Sequence, residues 1–280
     1  MSLTIGNWLS AAKGRLTDSD NPSLDAELLL RHVLGVNRAY LYTWPDRVLT
    51  EDQSNALEIL LARRIEGLPV AYLTGVREFW SLPLEVAPST LIPRADTETL
   101  IEWALDLGLP QAARILDLGT GTGAIALALK SEFPDAVVEA VEFNSDAAAL
   151  ARRNSERLGL SVTVHQGSWF EPVNGRFDLI ASNPPYIDPA DHHLAEGDVR
   201  FEPRSALTAD DAGLADLAHI IAQAPGYLQP GGWLLLEHGY DQAGQVCGLL
   251  RQRGFADVAN RCDLGGNPRI SGGRWPGAQE

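Results

Sequence analysis

The chain has 280 residues, 45% apolar and 21% charged, which excludes a mainly disordered polymer and suits one large domain plus a smaller one. Asp and Glu (37) outnumber Lys and Arg (22) for a net charge of −15, arguing against nucleic acid as main partner, since phosphate binding needs a basic face. No apolar run approaches the ~20 residues of a membrane span, and the start lacks a basic leader before an apolar stretch. No membrane partner is therefore expected, and Cys247 and Cys262, too far apart for a CxxC site, fit a reduced, cytoplasmic location.

Residues 1–75 read as a small helical domain. Asn21-Pro22 places a capping side chain before a proline at the first helical position, and Leu24, Leu28, His32 and Leu34 follow at helical spacing. Thr50 with Gln53 forms a capping box ahead of a stripe at Leu57, Leu60, Leu61 and Arg64, in a helix ending near Gly67. Tyr40, Tyr42 and Trp44 lie between these helices, and all these apolar residues are expected in one helical core. Residues 76–93 alternate and are broken by proline, which predicts a hairpin acting as a connector. The second domain is expected over 94–280.

From Ala113 onward strands and helices alternate. Strands are predicted at 114–118, 137–141, 162–165, 177–181 and 232–237, with short final strands near 255–260 and 268–272. Helices are predicted at 123–131, 145–158, 214–224 and 242–253. Repeated βα units with apolar strands imply an α/β fold, a parallel sheet covered on both faces. Ligands in such sheets bind beyond the carboxyl ends of the strands, so the loops after Leu118, Val141, His165 and Ala181 are the expected site.

The first of these loops, DLGTGTGAIAL, carries Gly119, Gly121 and Gly123 between a strand and a helix, and Glu142 ends the next strand. Glycines let backbone approach a ligand, and an acid at that position can accept both hydroxyls of a ribose. Dinucleotide enzymes use GxGxxG; here the third glycine comes one residue early. Asp117 also adds negative charge, which repels a pyrophosphate and suits the ammonium and sulfonium of S-adenosylmethionine.

Asn183-Pro184-Pro185-Tyr186 follows the strand FDLIAS. A conjugated NH₂ is a poor nucleophile until its lone pair is localised. The Asn183 side-chain oxygen and the Pro184 carbonyl can accept its two N–H groups, and neither proline offers a competing donor. Tyr186 supplies a flat face for a planar amide or base. Positioning then carries the methyl transfer without a histidine base. His192 and His193 are read as surface residues rather than metal ligands, and His238 as a satisfied core histidine. Phe201-Glu202-Pro203-Arg204 reads either as part of a lid or as plain loop.

LIPRADTE at 91–98, DLGTGTGAIAL at 117–127, SNPPYI at 182–187, GDVRFEP at 197–203 and HGY at 238–240 together resemble the release factor glutamine methyltransferases, the HemK family, over nearly the whole chain. The resemblance implies a class I S-adenosylmethionine-dependent methyltransferase, Rossmann-like with a seven-stranded, mostly parallel sheet. A helical N-terminal domain for the protein substrate and a hairpin linker precede it. The implied reaction moves a methyl group to the side-chain amide nitrogen of the glutamine in the Gly-Gly-Gln motif of class I peptide chain release factors, with no metal. By position, Gly119, Thr120, Gly121, Thr122 and Gly123 would cradle the methionine part of the cofactor, Glu142 its ribose and Trp169 its adenine. Asn183 would touch both methyl donor and glutamine, with Pro184, Pro185 and Tyr186 completing the amide site. Three residues depart from the family pattern: Glu142 stands where Asp is frequent, Ser168 where an Asp commonly precedes the Trp, and Ala95 where a proline is usual. Two other readings use the same residues, an adenine-amine methyltransferase acting on a flipped base and a non-catalytic module that docks translation factors.

Overall fold

The computed structural model describes residues 3–277. They form two units. One runs through Val76 and takes in Ala195–Phe201; the other comprises Arg77–Leu194 and resumes at Glu202.

The first unit is helical: α1 (Ile5–Arg15), α2 (Pro22–Leu34), α3 (Arg38–Thr43), α4 (Glu51–Ile65) and α5 (Val70–Thr74). The Asn21 side chain accepts Leu24 N–H and Pro22 opens α2, as the sequence predicts. Both arms of the Thr50–Gln53 capping box are present. The buried face of α2 differs from expectation: Ala26, Leu29 and Leu30 face the core, while Leu24 and His32 are exposed. Ile5, Trp8, Leu41, Leu57 and Leu61 complete that core. Tyr42 and Trp44 stay out of it. The six-residue α3 buries only Leu41, and the Tyr42 hydroxyl instead binds the carboxylate of Glu27.

Segment Ala195–Phe201 belongs to this helical unit, whereas the sequence suggested an uninterrupted domain from 94. Arg64, on α4, binds Asp25 at 2.7 Å and Asp198 at 2.8 Å, and also donates to the carbonyls of Gly67 and Leu68. Gly67 has φ of +98°, the left-handed region that favours glycine, with the Arg200 guanidinium close to it.

A hairpin follows, β1 (Val76–Phe79), which belongs to the second unit from Arg77 onward, and β2 (Leu82–Glu85). Trp80 and Ser81 between them both have positive φ, the twist a two-residue hairpin needs. Then follow α6 (Glu98–Asp106), β3 (Arg114–Leu118), α7 (Ala124–Glu132), β4 (Val137–Glu142), α8 (Ser145–Leu158), β5 (Val162–Gln166) and β6 (Phe177–Ser182). The chain continues through a short turn, α9 (Asp210–Gly213), into α10 (Ala215–Gln223), β7 (Leu228–Glu237), α11 (Ala243–Arg253), β8 (Ala256–Cys262) and β9 (Pro268–Arg274). β7 starts four residues before the predicted strand. Pro230-Gly231-Gly232 hides its start, and its pairing with β6 shifts register between Phe177 and Leu179.

The seven strands lie in the order β5-β4-β3-β6-β7-β9-β8. β3 to β7 pair in parallel, and β9 runs antiparallel to both β7 and β8. Alternate residues feed the two faces: Ile115, Val138, Leu179 and Leu235 enter one core, Leu116, Leu118, Ile180 and Leu234 the other. After β5 the chain returns across the sheet to β6, so the order reverses between β3 and β6. Leu118 pairs there with Ser182, which sets the glycine loop and Asn183 side by side. Among the described residues, no helix is long and apolar enough to cross a membrane.

Candidate active site

At the carboxyl ends of β3, β4, β5 and β6 lies a cavity of about 360 Å³ within the second unit, in the size range of small-molecule sites. Its wall includes Gly119 to Thr122, Glu142, Trp169, Asn183 and Pro185. Of the residues predicted for the site, Gly123, Pro184 and Tyr186 are not on that wall. Gly123 starts α7 behind the loop with φ of +87°, and a Cβ there would press 3.0 Å from Leu127.

The loop is held by its own sequence. Gly119 and Thr120 donate to the carbonyl of Val141 at 2.9 and 3.0 Å. Asp117 lies beneath them, fully buried, on the sheet face that meets α7. Its Oδ2 accepts the Thr120 hydroxyl at 2.5 Å and Ala126 N–H at 3.2 Å, while Oδ1 has no partner among the described residues. Burial raises the Asp117 carboxyl to about 7, with the Glu142 charge adding to the rise and the two hydrogen bonds opposing it. The sequence reading placed this carboxylate close to a cationic cofactor; the fold puts it one layer below, its charge still directed at the loop.

Glu142 folds back on the same loop. One oxygen accepts Gly121 N–H and the other Asn144 N–H, each at 2.9 Å. Each oxygen retains acceptor capacity, so ribose hydroxyls remain within its chemistry. Phe143, next to it, also lines the cavity and is largely exposed, a contribution the sequence reading missed. Across the cavity Trp169 is held at φ of +44°, rare for an aromatic residue, with its ring against Gly119. The apolar faces of Phe143 and Trp169 and the acceptors of Glu142 fit a nucleoside. The unpartnered oxygen of Asp117 fits a cation nearby. The donor set therefore matches a cationic nucleoside cofactor.

Asn183 leaves β6 at the switch point. Its Nδ2 donates to the Thr97 hydroxyl oxygen at 3.3 Å, and among the described residues its Oδ1 accepts nothing. Among the described residues no hydrogen bond reaches the Pro184 carbonyl either. Tyr186 points its hydroxyl inward, 3.2 Å from Oε1 of Glu237 at the end of β7. This corrects the picture of Tyr186 as a free flat wall: its ring packs in the second core and its phenol is spent on Glu237. Burial first, then the neighbouring Glu237 charge, push the Tyr186 phenol up. Burial likewise raises Glu237 to about 7. Gln242 completes the support, donating to the Tyr186 carbonyl at 3.0 Å and the Ala212 carbonyl at 3.1 Å.

Thr97, Glu237 and Gln242 were invisible to spacing arguments. Thr97 lies in LIPRADTE, a segment matched to a family without a role for any residue. Arg94 and Ile92 of that segment are held by Glu202, from GDVRFEP, whose carboxylate is buried. His238 is a core residue, as expected: it is fully buried, bonded to the Gly239 carbonyl and the Ser271 hydroxyl, and burial lowers its pKa. Asp191 joins His192 and His193 in one exposed cluster on the loop after NPPY, outside the cavity. Cys247 and Cys262 are both free.

A family model described as the PrmC N-terminal domain matches residues 7–75, and one described as the methyltransferase small domain matches residues 97–198. The chain is 57% identical over 270 residues to the release factor glutamine methyltransferase of Yersinia pestis, covering 96% of this chain and 98% of that one. The protein of that name from Escherichia coli K12 is 50% identical over 271 residues, with the same two coverages. Among solved structures, a methyltransferase from Pyrococcus furiosus shares the fold at a TM-score of 0.55 and 22% identity, over 78% of this chain and 98% of that one. On the strength of this near full-length identity, the chain belongs to the release factor glutamine methyltransferase family.

Proposed function

We propose that this chain transfers the methyl group of S-adenosylmethionine to the side-chain amide nitrogen of the glutamine in the Gly-Gly-Gln motif of class I peptide chain release factors, in the cytoplasm and without a metal. The relatives' names and the chemistry of the cavity support the reading. The observation that carries it is Asn183: tethered through Nδ2, beside the glycine loop, with Oδ1 unspent at the cavity wall.

When bound, the cofactor supplies an electrophilic methyl carbon on a cationic sulfur. The residues of this chain do the rest. Gly119 to Thr122, Glu142 and Trp169 hold the donor, with Gly123 turning the chain into α7 behind them and Asp117 beneath contributing negative charge. Asn183 Oδ1 and the Pro184 carbonyl accept the two N–H groups of the glutamine amide. That localises the nitrogen lone pair and aims it at the methyl carbon. As the new C–N bond forms the C–S bond breaks, and S-adenosylhomocysteine leaves. The methylated nitrogen is transiently cationic and strongly acidic, so it gives up its proton to water with no dedicated base. Tyr186, fixed by Glu237 and Gln242, keeps the loop rigid from behind. The helical unit is proposed to meet the body of the release factor.

Incubation with methyl-labelled donor and either a purified release factor or nucleic acid tests the reading. One methyl on the Gly-Gly-Gln glutamine is the expected result. Label on adenine amines, or no label on any substrate, contradicts it.

A further inference from the structure

The loop that follows Asn183 is clamped from two sides, and the clamp brings a carboxylate with no other task onto the cavity wall. Gln242 donates from Nε2 to the carbonyls of Tyr186 and Ala212 at 3.0 and 3.1 Å and accepts Gly239 N–H at 2.8 Å. All three partners are backbone groups with one fixed role each, so its carboxamide has a single orientation. Ile187 donates to the Leu207 carbonyl at 2.9 Å and accepts Ala209 N–H at 3.1 Å. Gly213 has φ of +81°, and a Cβ there would lie 2.0 Å from the Tyr186 carbonyl oxygen, a backbone atom that cannot swing aside. Just before it Asp211 and Ala212 both have positive φ, 56° and 53°, a conformation that side chains resist and that the surroundings must impose.

These contacts bring Ser205, Ala206 and Asp216 to the same cavity wall as Asn183 and Pro185. Asp216, half-buried in the first turn of α10, has no hydrogen bond or ion pair among the described residues. Service to the helix dipole does not explain this, since an acid on the outer face of the turn gives the same benefit without being drawn from water. Burial raises its carboxyl pKa, with His219 opposing the rise and Asp210 adding to it. Its oxygens are open to a donor that arrives with substrate. The geometry points to Asp216 as a specificity-determining residue whose carboxylate accepts a main-chain N–H from the segment that carries the methylated glutamine. Only two methylene groups separate a glutamine amide from its main chain. An amide seated on Asn183 and Pro184 therefore brings that main chain to the same end of the cavity. Every residue of the segment other than proline offers such a donor, and flanking glycines leave it uncovered.

The inference rests on the proposed methyl transfer to release factor, and the test separates the two. The parent, Asp216→Ala and Asp216→Asn are assayed for KM and kcat with release factor and for Kd of the methyl donor. Asp216→Ala removes the acceptor and is expected to raise KM at least tenfold, with a smaller change in kcat and donor Kd within twofold. Asp216→Asn keeps one acceptor oxygen without the charge and should recover most of that loss. Its ligand-free melting temperature should not fall below the parent's, because the carboxylate has no partner to lose. An unchanged KM in Asp216→Ala overturns the inference. So does an Asp216→Asn as weak as the alanine variant, which would assign the carboxylate to a cationic side chain of the substrate. A KM loss that comes with weakened donor binding in both variants marks a structural residue and overturns it too. If the parent itself leaves release factor unmethylated, the functional reading fails and the inference falls with it.

Discussion

Asp117 is a carboxyl sealed under the glycine loop, and its energetics follow from that burial. Its folded pKa of about 7 stands above the ordinary 3.8, so the folded state favours the protonated form. The resulting stability is fully present below about pH 4 and is lost as pH rises through about 7. A shift of this size corresponds to roughly 4 kcal/mol at full ionisation. Asp117→Asn cannot ionise yet still offers an oxygen to the Thr120 hydroxyl and Ala126 N–H. Its melting temperature in the ligand-free state should gain on the parent between about pH 4 and 7 and then level off, while its affinity for the methyl donor falls. Parallel melting curves across that range would contradict the account. NPPY and the glycine loop were legible as short local runs whose residue types carry their chemistry. Thr97 and Glu237 were not, because their meaning comes from the separate hydrogen bonds Asn183–Thr97 and Tyr186–Glu237, which no spacing in the sequence expresses.

The elements that shape the cavity are joined by side chains that look incidental in sequence. Asn154, mid-way along α8, is fully buried and faces the hairpin. Its Oδ1 accepts Glu85 N–H at 2.8 Å, and its Nδ2 donates to the Glu85 carbonyl at 2.9 Å and the Thr122 carbonyl at 3.0 Å. One amide thus fastens β2 to the glycine loop. Asn154→Leu strands these groups, at about 1–3 kcal/mol for each one buried without a partner. Urea denaturation should show a loss of at least ~2 kcal/mol, with weaker donor binding; an unchanged midpoint would refute the fastening. Strands β3 to β6 were legible because each is a short run rich in aliphatic and β-branched residues bounded by turn residues. The start of β7 was not, since its pairing runs through a Pro-Gly-Gly stretch that composition assigns to a turn. The α2 stripe was misjudged for a related reason: leucines on three sides of a short helix leave the buried face to be chosen by neighbouring helices.

Across the whole molecule, the division into a helical unit and a sheet unit followed from the change of period near residue 76, but the return of Ala195–Phe201 to the helical unit did not. That return depends on the Arg64–Asp198 bridge, a pairing across 134 residues. Arg64→Met removes the charge while keeping much of the side-chain bulk, leaving Asp25 and Asp198 without their partner. Amide hydrogen exchange over 195–201 should rise at least tenfold and KM for release factor should increase, with donor Kd unchanged. Unaltered exchange there would show that the bridge does not hold the segment. The account as a whole depends on Asn183 capturing the glutamine amide. Single-turnover methyl transfer by donor-loaded Asn183→Ala, followed by mass analysis of the Gly-Gly-Gln peptide, addresses this most directly. A rate at least a hundredfold below the parent at equal donor occupancy is predicted, and a glutamine methylated at the parental rate would contradict the central claim.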